Sequence, residues 1–229
     1  MTCTLVTNML TLVLGDYKGG YCKASTPDKS EILPGLFIGN WRSSLNDDFL
    51  NHTETGAIIC VNFERTHDDE YIQELKAKGI AFADFRVDDD SDLWRPSSKA
   101  PKTESKEKRQ DYVADVFERS YSLISKTLRQ KKKVLVHCTA GMNRSATIVA
   151  NYMVRTRIKM ASDDVEKIEA QSRQGLRDEV LQSINLKRDV VWPSTAMKKH
   201  LLAAIDEYIA ERSEVLQWAK QNRGLLPVS

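Results

Sequence analysis

The stretch Val134-Leu135-Val136-His137-Cys138-Thr139-Ala140-Gly141-Met142-Asn143-Arg144-Ser145 joins two local patterns. Its first three residues are apolar, which is typical of a buried strand. From Ser145 to Arg157 the apolar residues have helical spacing. The stretch therefore predicts a strand, a tight loop and a helix. A cysteine begins the loop, and an arginine follows six positions later.

The predicted loop has the features of an anion-binding site. Successive backbone N–H groups in a short loop form an anion-binding nest. The first N–H groups of the following helix lack intrahelical partners and point toward the same place. A guanidinium at the helix start can bind two phosphate oxygens with its planar fork. We therefore predict phosphate binding by residues Thr139, Ala140, Gly141, Met142, Asn143 and Arg144.

Cys138 is the candidate nucleophile of this loop. The positive field of the loop favours the thiolate over the thiol, whose ordinary pKa is about 8.5. We expect Ser145 to donate a hydrogen bond to that thiolate and His137 to orient the loop. Gly141 lets the chain close where φ is positive or a side chain would clash. The alternative is that Cys138 is a core residue and Arg144 lies on a helix surface. This is disfavoured because a cysteine, a glycine, an arginine and a serine all fall at suitable positions between the strand and the helix.

The pattern His-Cys-x5-Arg-Ser over residues 137–145 resembles the cysteine-dependent protein phosphatases, specifically their dual-specificity branch. The resemblance implies an α/β fold with a central mixed, mostly parallel sheet flanked by helices, as in protein tyrosine phosphatases. It also implies a cysteinyl-phosphate intermediate and no metal or cofactor. The substrates expected on this basis are phosphorylated proteins, with phosphate on tyrosine, serine or threonine.

The rest of the chain has patterns that agree with an α/β fold. Strands alternate with helices, and the apolar run at 57–63 is typical of a strand covered on both faces. The expected strands are two short ones around Pro34-Gly35 within 31–40, then 57–63 and 81–87. The expected helices are 44–52, 71–78, 111–129, 162–173 and 196–212, the last extending toward Asn222.

A run of carboxylates follows the strand expected at 81–87: Asp88, Asp89, Asp90 and Asp92. Phosphate-ester hydrolysis needs a proton on the departing oxygen, which a positioned carboxylic acid supplies. In the dual-specificity family the acid follows a strand patterned apolar-x-apolar-x-Asp, and Phe85 to Asp89 matches this pattern. The resemblance therefore favours Asp89 as general acid, with Asp88 and Asp92 as alternatives. A solvated turn and a divalent-cation site are the other interpretations of this cluster.

Two segments depart from the family pattern. Residues 93–109 are polar and charged and contain two prolines, so we expect a loop beside the active site. Residues 174–191 separate the helix at 162–173 from the Pro193 turn before the last helix. We divide the chain into an N-terminal arm (1–30), a phosphatase domain (31–212) that carries both insertions, and a C-terminal extension (213–229).

Composition limits the further functions. The net charge of +2 in 229 residues favours neither nucleic acid nor membrane partners, and no apolar run reaches the roughly 18 residues of a membrane span. The irregular spacing of Cys3, Cys22, Cys60 and Cys138 predicts neither a disulfide framework nor a zinc site. A catalytic thiol favours a reducing compartment, the cytoplasm or nucleus. The arm could form a homodimer contact.

Other functions of cysteine–arginine loops remain as alternatives. Small tyrosine phosphatases carry the cysteine near the N-terminus, and lipid phosphatases of the phosphatase-and-tensin type carry lysines inside the loop, which this chain lacks. RNA 5′-triphosphatases resemble Asn143-Arg144 but continue Thr-Gly, whereas here Ser145-Ala146 follows. An RNA 5′-triphosphatase and a non-catalytic phosphoprotein-binding module are the two remaining alternatives.

Overall fold

The computed structural model describes residues 28–63, 66–87, 106–160 and 172–221. Its described strands are β1 (Lys29–Leu33), β2 (Leu36–Gly39), β3 (Thr55–Asn62), β4 (Ala81–Arg86) and β5 (Lys133–His137). Its described helices are α1 (Trp41–Ser44), α2 (Asp47–His52), α3 (Asp69–Ala77), α4 (Lys106–Arg129), α5 (Arg144–Met160), α6 (Arg173–Asn185) and α7 (Thr195–Gln221).

The five strands form one sheet in the order β1-β2-β5-β3-β4. Strands β2, β5, β3 and β4 run parallel to one another, and β1 pairs antiparallel with β2. The expected mixed, mostly parallel sheet is therefore confirmed. Because neighbouring parallel strands run in the same direction, the carboxyl ends of β5, β3 and β4 lie at the same edge of the sheet.

Both faces of the sheet are covered, as the apolar strands predict. All eight residues of β3 are buried. On one face Ile59 and Val136 join the large core built with α4, α5, α6 and α7. On the other face Ile58 and Leu135 pack with α2 and α3 in a smaller core. The alternation along each strand thus divides its apolar side chains between two cores.

The helix expected over 44–52 is wrong in its extent. Helix α2 covers Asp47–His52 and ends where expected, whereas Ser44 is the last residue of a separate helix, α1, and an asparagine caps each of the two. The side chain of Asn40 accepts from Ser43 N at the start of α1, and Asn46 accepts from Phe49 N at the start of α2. A second N-cap inside the segment starts a new helix instead of continuing the first.

The polar loop expected over 93–109 is also shorter than predicted. Residues 106–109 form the first turn of α4. They lack proline, and Lys, Glu and Arg are strong helix formers, so local propensity accounts for the earlier start. Residues 93–105 lie outside the described residues, as do most of the helix expected at 162–173 and residues 1–27 of the arm.

The stretch 174–191 is largely helical. Helix α6 occupies Arg173–Asn185, and the Ser172 hydroxyl accepts from Gly175 N at 2.9 Å as its N-cap. Leu176 and Ile184 bury their side chains in the large core. The extension of the last helix beyond residue 212 is confirmed, because α7 continues to Gln221. In the described part of the chain, no helix is long and apolar enough to cross a membrane.

Candidate active site

The loop between β5 and α5 lies at the carboxyl edge of the sheet. β5 is flanked by β2 and β3, so the loop is enclosed by the ends of both neighbours. Cys138 follows directly after β5 and has 2% of its surface exposed. Arg144 and Ser145 begin α5 and are buried as well. The predicted strand, loop and helix are therefore confirmed.

A backbone N–H and a hydroxyl lie at hydrogen-bond distance from the sulfur of Cys138. The backbone N–H of Gly141 donates to Sγ at 3.2 Å, and the Ser145 hydroxyl lies 3.3 Å from it. Hydrogen bonds from neutral donors stabilise the thiolate relative to the thiol. Both groups are placed to donate to a thiolate at this position.

Arg144 is held against the loop by its side chain. Its Nη1 donates to the carbonyl oxygen of Val87 at 3.4 Å, and its Nη2 donates to the Thr139 hydroxyl at 3.3 Å. Thr139 in turn donates to Asn62 Oδ1 at 3.0 Å. Asn62 is the last residue of β3, so the guanidinium is tied to the ends of two strands. These contacts orient the charged fork toward the loop.

Gly141 cannot carry a side chain in this loop. Its φ is +71°, a conformation that favours glycine. A Cβ placed there would lie 2.6 Å from the carbonyl oxygen of Gly39 at the end of β2. The loop therefore packs backbone against backbone on the neighbouring strand, which agrees with the role predicted for this glycine.

Sequence analysis missed Arg188, which supports the loop from behind. Its side chain is almost fully buried, at 2% exposure. Its Nε donates to the Gly141 carbonyl at 2.8 Å, its Nη2 to the Ala140 carbonyl at 3.3 Å, and its Nη1 to the Ser30 hydroxyl at 3.3 Å. Arg188 therefore binds two successive carbonyls of the loop and holds its backbone from one side.

The segment after Arg188 also holds the loop. Trp192 N donates to the Met142 carbonyl at 3.0 Å, and Ser194 N donates to Asn143 Oδ1 at 2.9 Å. The Trp192 side chain itself is 74% exposed. Both donors lie in the Pro193 turn, which follows the stretch 174–191 that was predicted to be an insertion. The sequence does not show that Arg188 is buried, so it gives no local sign that this part of the chain contacts the loop.

His137 is fully buried behind the loop. Burial, with the neighbouring His67 as a second cause, lowers its pKa to about 3. The two Nε2 atoms are 3.4 Å apart. His137 is therefore neutral near pH 7, and it acts on the loop through hydrogen bonding and packing instead of charge.

Cys60 shows what a structural thiol looks like in the same chain. Burial, followed by the negative charge of Asp84, raises its pKa to about 12. Cys60 and Cys138 are both free thiols. Cys138 instead lies at the start of the loop, beside the Gly141 N–H and the Ser145 hydroxyl.

Asp88, Asp89, Asp90 and Asp92 lie outside the described residues. The strand before them is present, since β4 ends at Arg86 and the buried Val87 follows it. Val87 N donates to the Asn62 carbonyl at 3.1 Å, and its own carbonyl accepts from Arg144. The chain that leads to the carboxylates is therefore anchored beside the loop.

Comparison with known proteins agrees with this geometry. The model of the dual specificity phosphatase catalytic domain matches residues 36–206. This chain therefore belongs to the dual specificity phosphatase family.

Individual relatives support the assignment. The chain is 34% identical over 133 residues to the tyrosine-protein phosphatase vhp-1 of Caenorhabditis elegans, covering 58% of this chain and 17% of that protein. It is 31% identical over 176 residues to the putative tyrosine phosphatase 123R of Invertebrate iridescent virus 6, covering 76% of this chain and 89% of that protein. Against several other curated relatives, the chain spans 32% to 62% of their length.

A solved structure has the same fold. Human DUSP28 superposes with a TM-score of 0.56 at 18% identity, and the match covers 81% of this chain and 98% of that one. At this identity the likeness concerns the fold alone.

Proposed function

We propose that this chain is a protein phosphatase that hydrolyses phosphotyrosine and phosphoserine or phosphothreonine through a cysteinyl-phosphate intermediate. The observation that carries the proposal is the position of Cys138. Its sulfur receives the Gly141 N–H at 3.2 Å and lies 3.3 Å from the Ser145 hydroxyl, at the start of the loop that Arg144 closes. A thiolate and an anion-binding loop are the two parts that this chemistry requires.

In the first step, the Cys138 thiolate attacks phosphorus in line with the leaving oxygen. The S–P bond forms as the P–O bond to the substrate breaks. Arg144 and the loop N–H groups of residues 139–143 hold the equatorial oxygens, whose charge they stabilise in the transition state. Asp89 donates its proton to the departing oxygen, so the product leaves as a neutral alcohol or phenol.

The anchoring of Val87 supports Asp89 in this role. Val87 lies against Arg144 through the contact described above. Two residues of chain span at most about 7 Å, so the backbone of Asp89 is tethered within reach of the loop. Asp88 and Asp92 are tethered to the same point, which is why the assignment needs a direct test.

In the second step, water attacks the cysteinyl-phosphate. The now ionised Asp89 accepts a proton from this water, the S–P bond breaks, and inorganic phosphate is released. The Ser145 hydroxyl donates to the departing sulfur and stabilises the thiolate. Each step uses side chains and backbone of the chain, with no cofactor and no catalytic metal.

The loop side chains support protein substrates. Thr139, Ala140, Met142 and Asn143 carry no positive charge, whereas a multiply phosphorylated lipid head group would favour basic residues. The sequence contains no recognisable phosphotyrosine-binding loop, which is consistent with a shallow pocket that admits short phosphoserine and phosphothreonine side chains. The RNA 5′-triphosphatase and the phosphoprotein-binding module remain as competing functions.

The decisive experiment measures phosphate release from an aryl phosphate, from phosphopeptides, from RNA 5′-triphosphate and from phosphoinositides. We expect turnover of the aryl phosphate and the phosphopeptides that vanadate inhibits and EDTA does not. Cys138→Ser should abolish turnover yet still bind phosphopeptide. Arg144→Lys should weaken both binding and turnover, whereas Arg157→Lys, an exposed position on the same helix, should change neither.

Three outcomes would contradict the proposal. Activity that survives Cys138→Ser would exclude the cysteine mechanism. Preferred turnover of RNA 5′-triphosphate would favour the alternative enzyme. Tight phosphopeptide binding by the unaltered chain without turnover would favour a binding module.

For the cellular setting, we propose the cytoplasm or nucleus, because an unprotected catalytic thiol persists in a reducing compartment. Phosphorylated proteins are the proposed partners, with no role for nucleic acid.

We also propose that the N-terminal arm contributes a homodimer contact. Sedimentation of the given chain beside a chain that begins at residue 28 tests this. The same number of chains per particle for both would show that the arm does not contribute to dimer formation.

A further inference from the structure

Three side chains that bind metals in other proteins converge behind the phosphate-binding loop. Cys60, His67 and His137 each offer one ligand atom, and these atoms lie within 4.8 Å of one another. All three residues are buried, at 0%, 5% and 0% exposure. The proposed phosphatase reaction uses neither Cys60 nor His67.

The sheet register creates this cluster. Cys60 on β3 and His137 on β5 are directly paired across the parallel strands, so their side chains leave the sheet on the same face. His67 comes from the segment before α3. Its ring stacks on Tyr71, with centroids 4.7 Å apart, and packs edge-on against Phe82 at 5.4 Å. These aromatic contacts fix the imidazole with its Nε2 toward the other two ligands.

The distances suit a tetrahedral ion. Zinc binds histidine nitrogen at about 2.0–2.1 Å, so two such nitrogens at a tetrahedral angle lie about 3.3 Å apart. The Nε2 atoms of His67 and His137 are 3.4 Å apart. A thiolate about 2.3 Å from the same ion would lie about 3.6 Å from each nitrogen. The Cys60 sulfur, within 4.8 Å of both, reaches that position with a small inward movement.

We propose that Cys60 Sγ, His67 Nε2 and His137 Nε2 form a binding site for a zinc ion. One thiolate and two imidazoles are a donor set that zinc prefers, and carboxylate-seeking ions such as magnesium do not. The Ser44 hydroxyl, 3.3 Å from His67 Nε2, places an oxygen beside the site. The irregular spacing of the cysteines predicted no zinc site, and the three ligands come together only in the folded chain.

Binding exchanges a proton for the ion. The Cys60 S–H bond breaks, the proton goes to solvent, and the sulfur binds the ion as thiolate. Asn62 Nδ2 lies 3.4 Å from the Cys60 sulfur, and the Thr66 hydroxyl also lies 3.4 Å from it. Both groups can donate to the thiolate from the outer shell, where such contacts orient a ligand and tune its affinity for the metal.

The ion would connect the core to the nucleophile without taking part in the reaction. His137 immediately precedes Cys138, and Cys60 belongs to the neighbouring strand. Binding to the native chain but not to the unfolded one raises the apparent thermal stability. The site is therefore a structural zinc centre beneath the loop, and its test does not depend on phosphatase activity.

Cobalt(II) is the probe of choice, because a thiolate ligand produces a charge-transfer band in its absorption spectrum. Nitrogen and oxygen ligands do not produce this band. The experiment uses the full-length Cys138→Ser chain, which removes the nucleophile as a competing ligand. We expect one cobalt ion per chain, the thiolate band, and full displacement by one equivalent of zinc. Adding Cys60→Ser should remove the band. His67→Gln should weaken cobalt binding at least about tenfold, whereas His52→Gln, at an exposed position on α2, should leave the affinity unchanged.

Clear results would overturn the proposal. No cobalt or zinc bound at micromolar concentration would show that the cluster is only packed side chains. A band that persists after Cys60→Ser would place the ion on another cysteine. If Cys60→Ser fails to fold by circular dichroism, the His67→Gln and His52→Gln pair decides the question, and equal affinities for the two would reject the site.

Discussion

The guanidinium Nε of Arg188 donates to the carbonyl oxygen of Gly141 at 2.8 Å, across 47 residues of chain. This contact joins the segment after α6 to the middle of the phosphate-binding loop. The loop is therefore shaped by a residue far outside its own sequence.

Replacing Arg188 tests the support that it gives. Arg188→Ala leaves the Ala140 and Gly141 carbonyls without this buried donor, so the free energy of unfolding should fall by roughly 2–4 kcal/mol. The kcat/KM for an aryl phosphate should fall as well, because the loop N–H groups lose their alignment. Urea unfolding and steady-state kinetics measure the two effects.

Arg157→Ala is the matched control for Arg188. Arg157 pairs with Glu179 at 2.6 Å on the surface, and both side chains are 49% exposed. Exposed pairs contribute about 0–1 kcal/mol, so this variant should be nearly as stable and fully active. Equal effects of the two substitutions would contradict the role assigned to Arg188.

Gly141 and Gly79 form a second matched pair. Both have φ +71°, but a Cβ on Gly79 meets nothing within 4 Å, whereas a Cβ on Gly141 meets the Gly39 carbonyl. Gly79→Ala should lower the free energy of unfolding only by the left-handed backbone penalty of about 1–2 kcal/mol, and the variant should stay active. Gly141→Ala should lower the free energy of unfolding further, and this variant should lose most of its activity. Unfolding and turnover curves that coincide for the two variants would show that the close approach to β2 is unimportant.

Ser145→Ala should separate the two chemical steps. The Ser145 hydroxyl lies 3.3 Å from the Cys138 sulfur, where it stabilises the thiolate that leaves in the second step. Loss of one such donor should slow steady-state turnover on the order of 100-fold. Rapid mixing should then reveal a burst of aryl product, one per chain, before the slow phase. Ser120→Ala, which removes a buried hydroxyl of α4 that donates to the Phe117 carbonyl, should show no burst.

The assignment of Asp89 rests on the pH dependence of turnover. A general acid must be protonated in the first step, so activity should decline on the alkaline side as Asp89 ionises. Asp89→Asn should remove this alkaline limb and slow turnover by about 10²–10⁴-fold with poor leaving groups. Asp88→Asn and Asp92→Asn should retain the limb. If one of these two loses it while Asp89→Asn does not, the general acid is that residue.

Much of the fold follows from local pattern. The strand at 57–63 and the helix at 71–78 were expected within a few residues, because continuous apolar runs and a glycine stop are strong local signals. The helix expected over 44–52 begins at Asp47 instead, because the side chain of Asn46 caps it there. The spacing of Asn40 and Asn46 could have revealed this.

The sequence by itself determined the reacting groups of the proposed site. Cys138, Gly141, Arg144 and Ser145 are close in the chain, so a single strand–loop–helix connection brings them together. The relative positions of these four side chains depend on the backbone angles of one short loop, and the residue types in the loop favour those angles.

Only the tertiary structure decided what surrounds this loop. Arg188 reaches it from the turn after α6, in a stretch that looked like an insertion, and Asn62 reaches it through Thr139 from the end of β3. Cys60 and His137 meet because two parallel strands pair in one register. Such contacts depend on packing and strand order across long chain separations. No local pattern encodes them, which is why the sequence predicted a nucleophile but neither its support nor the cluster beneath it.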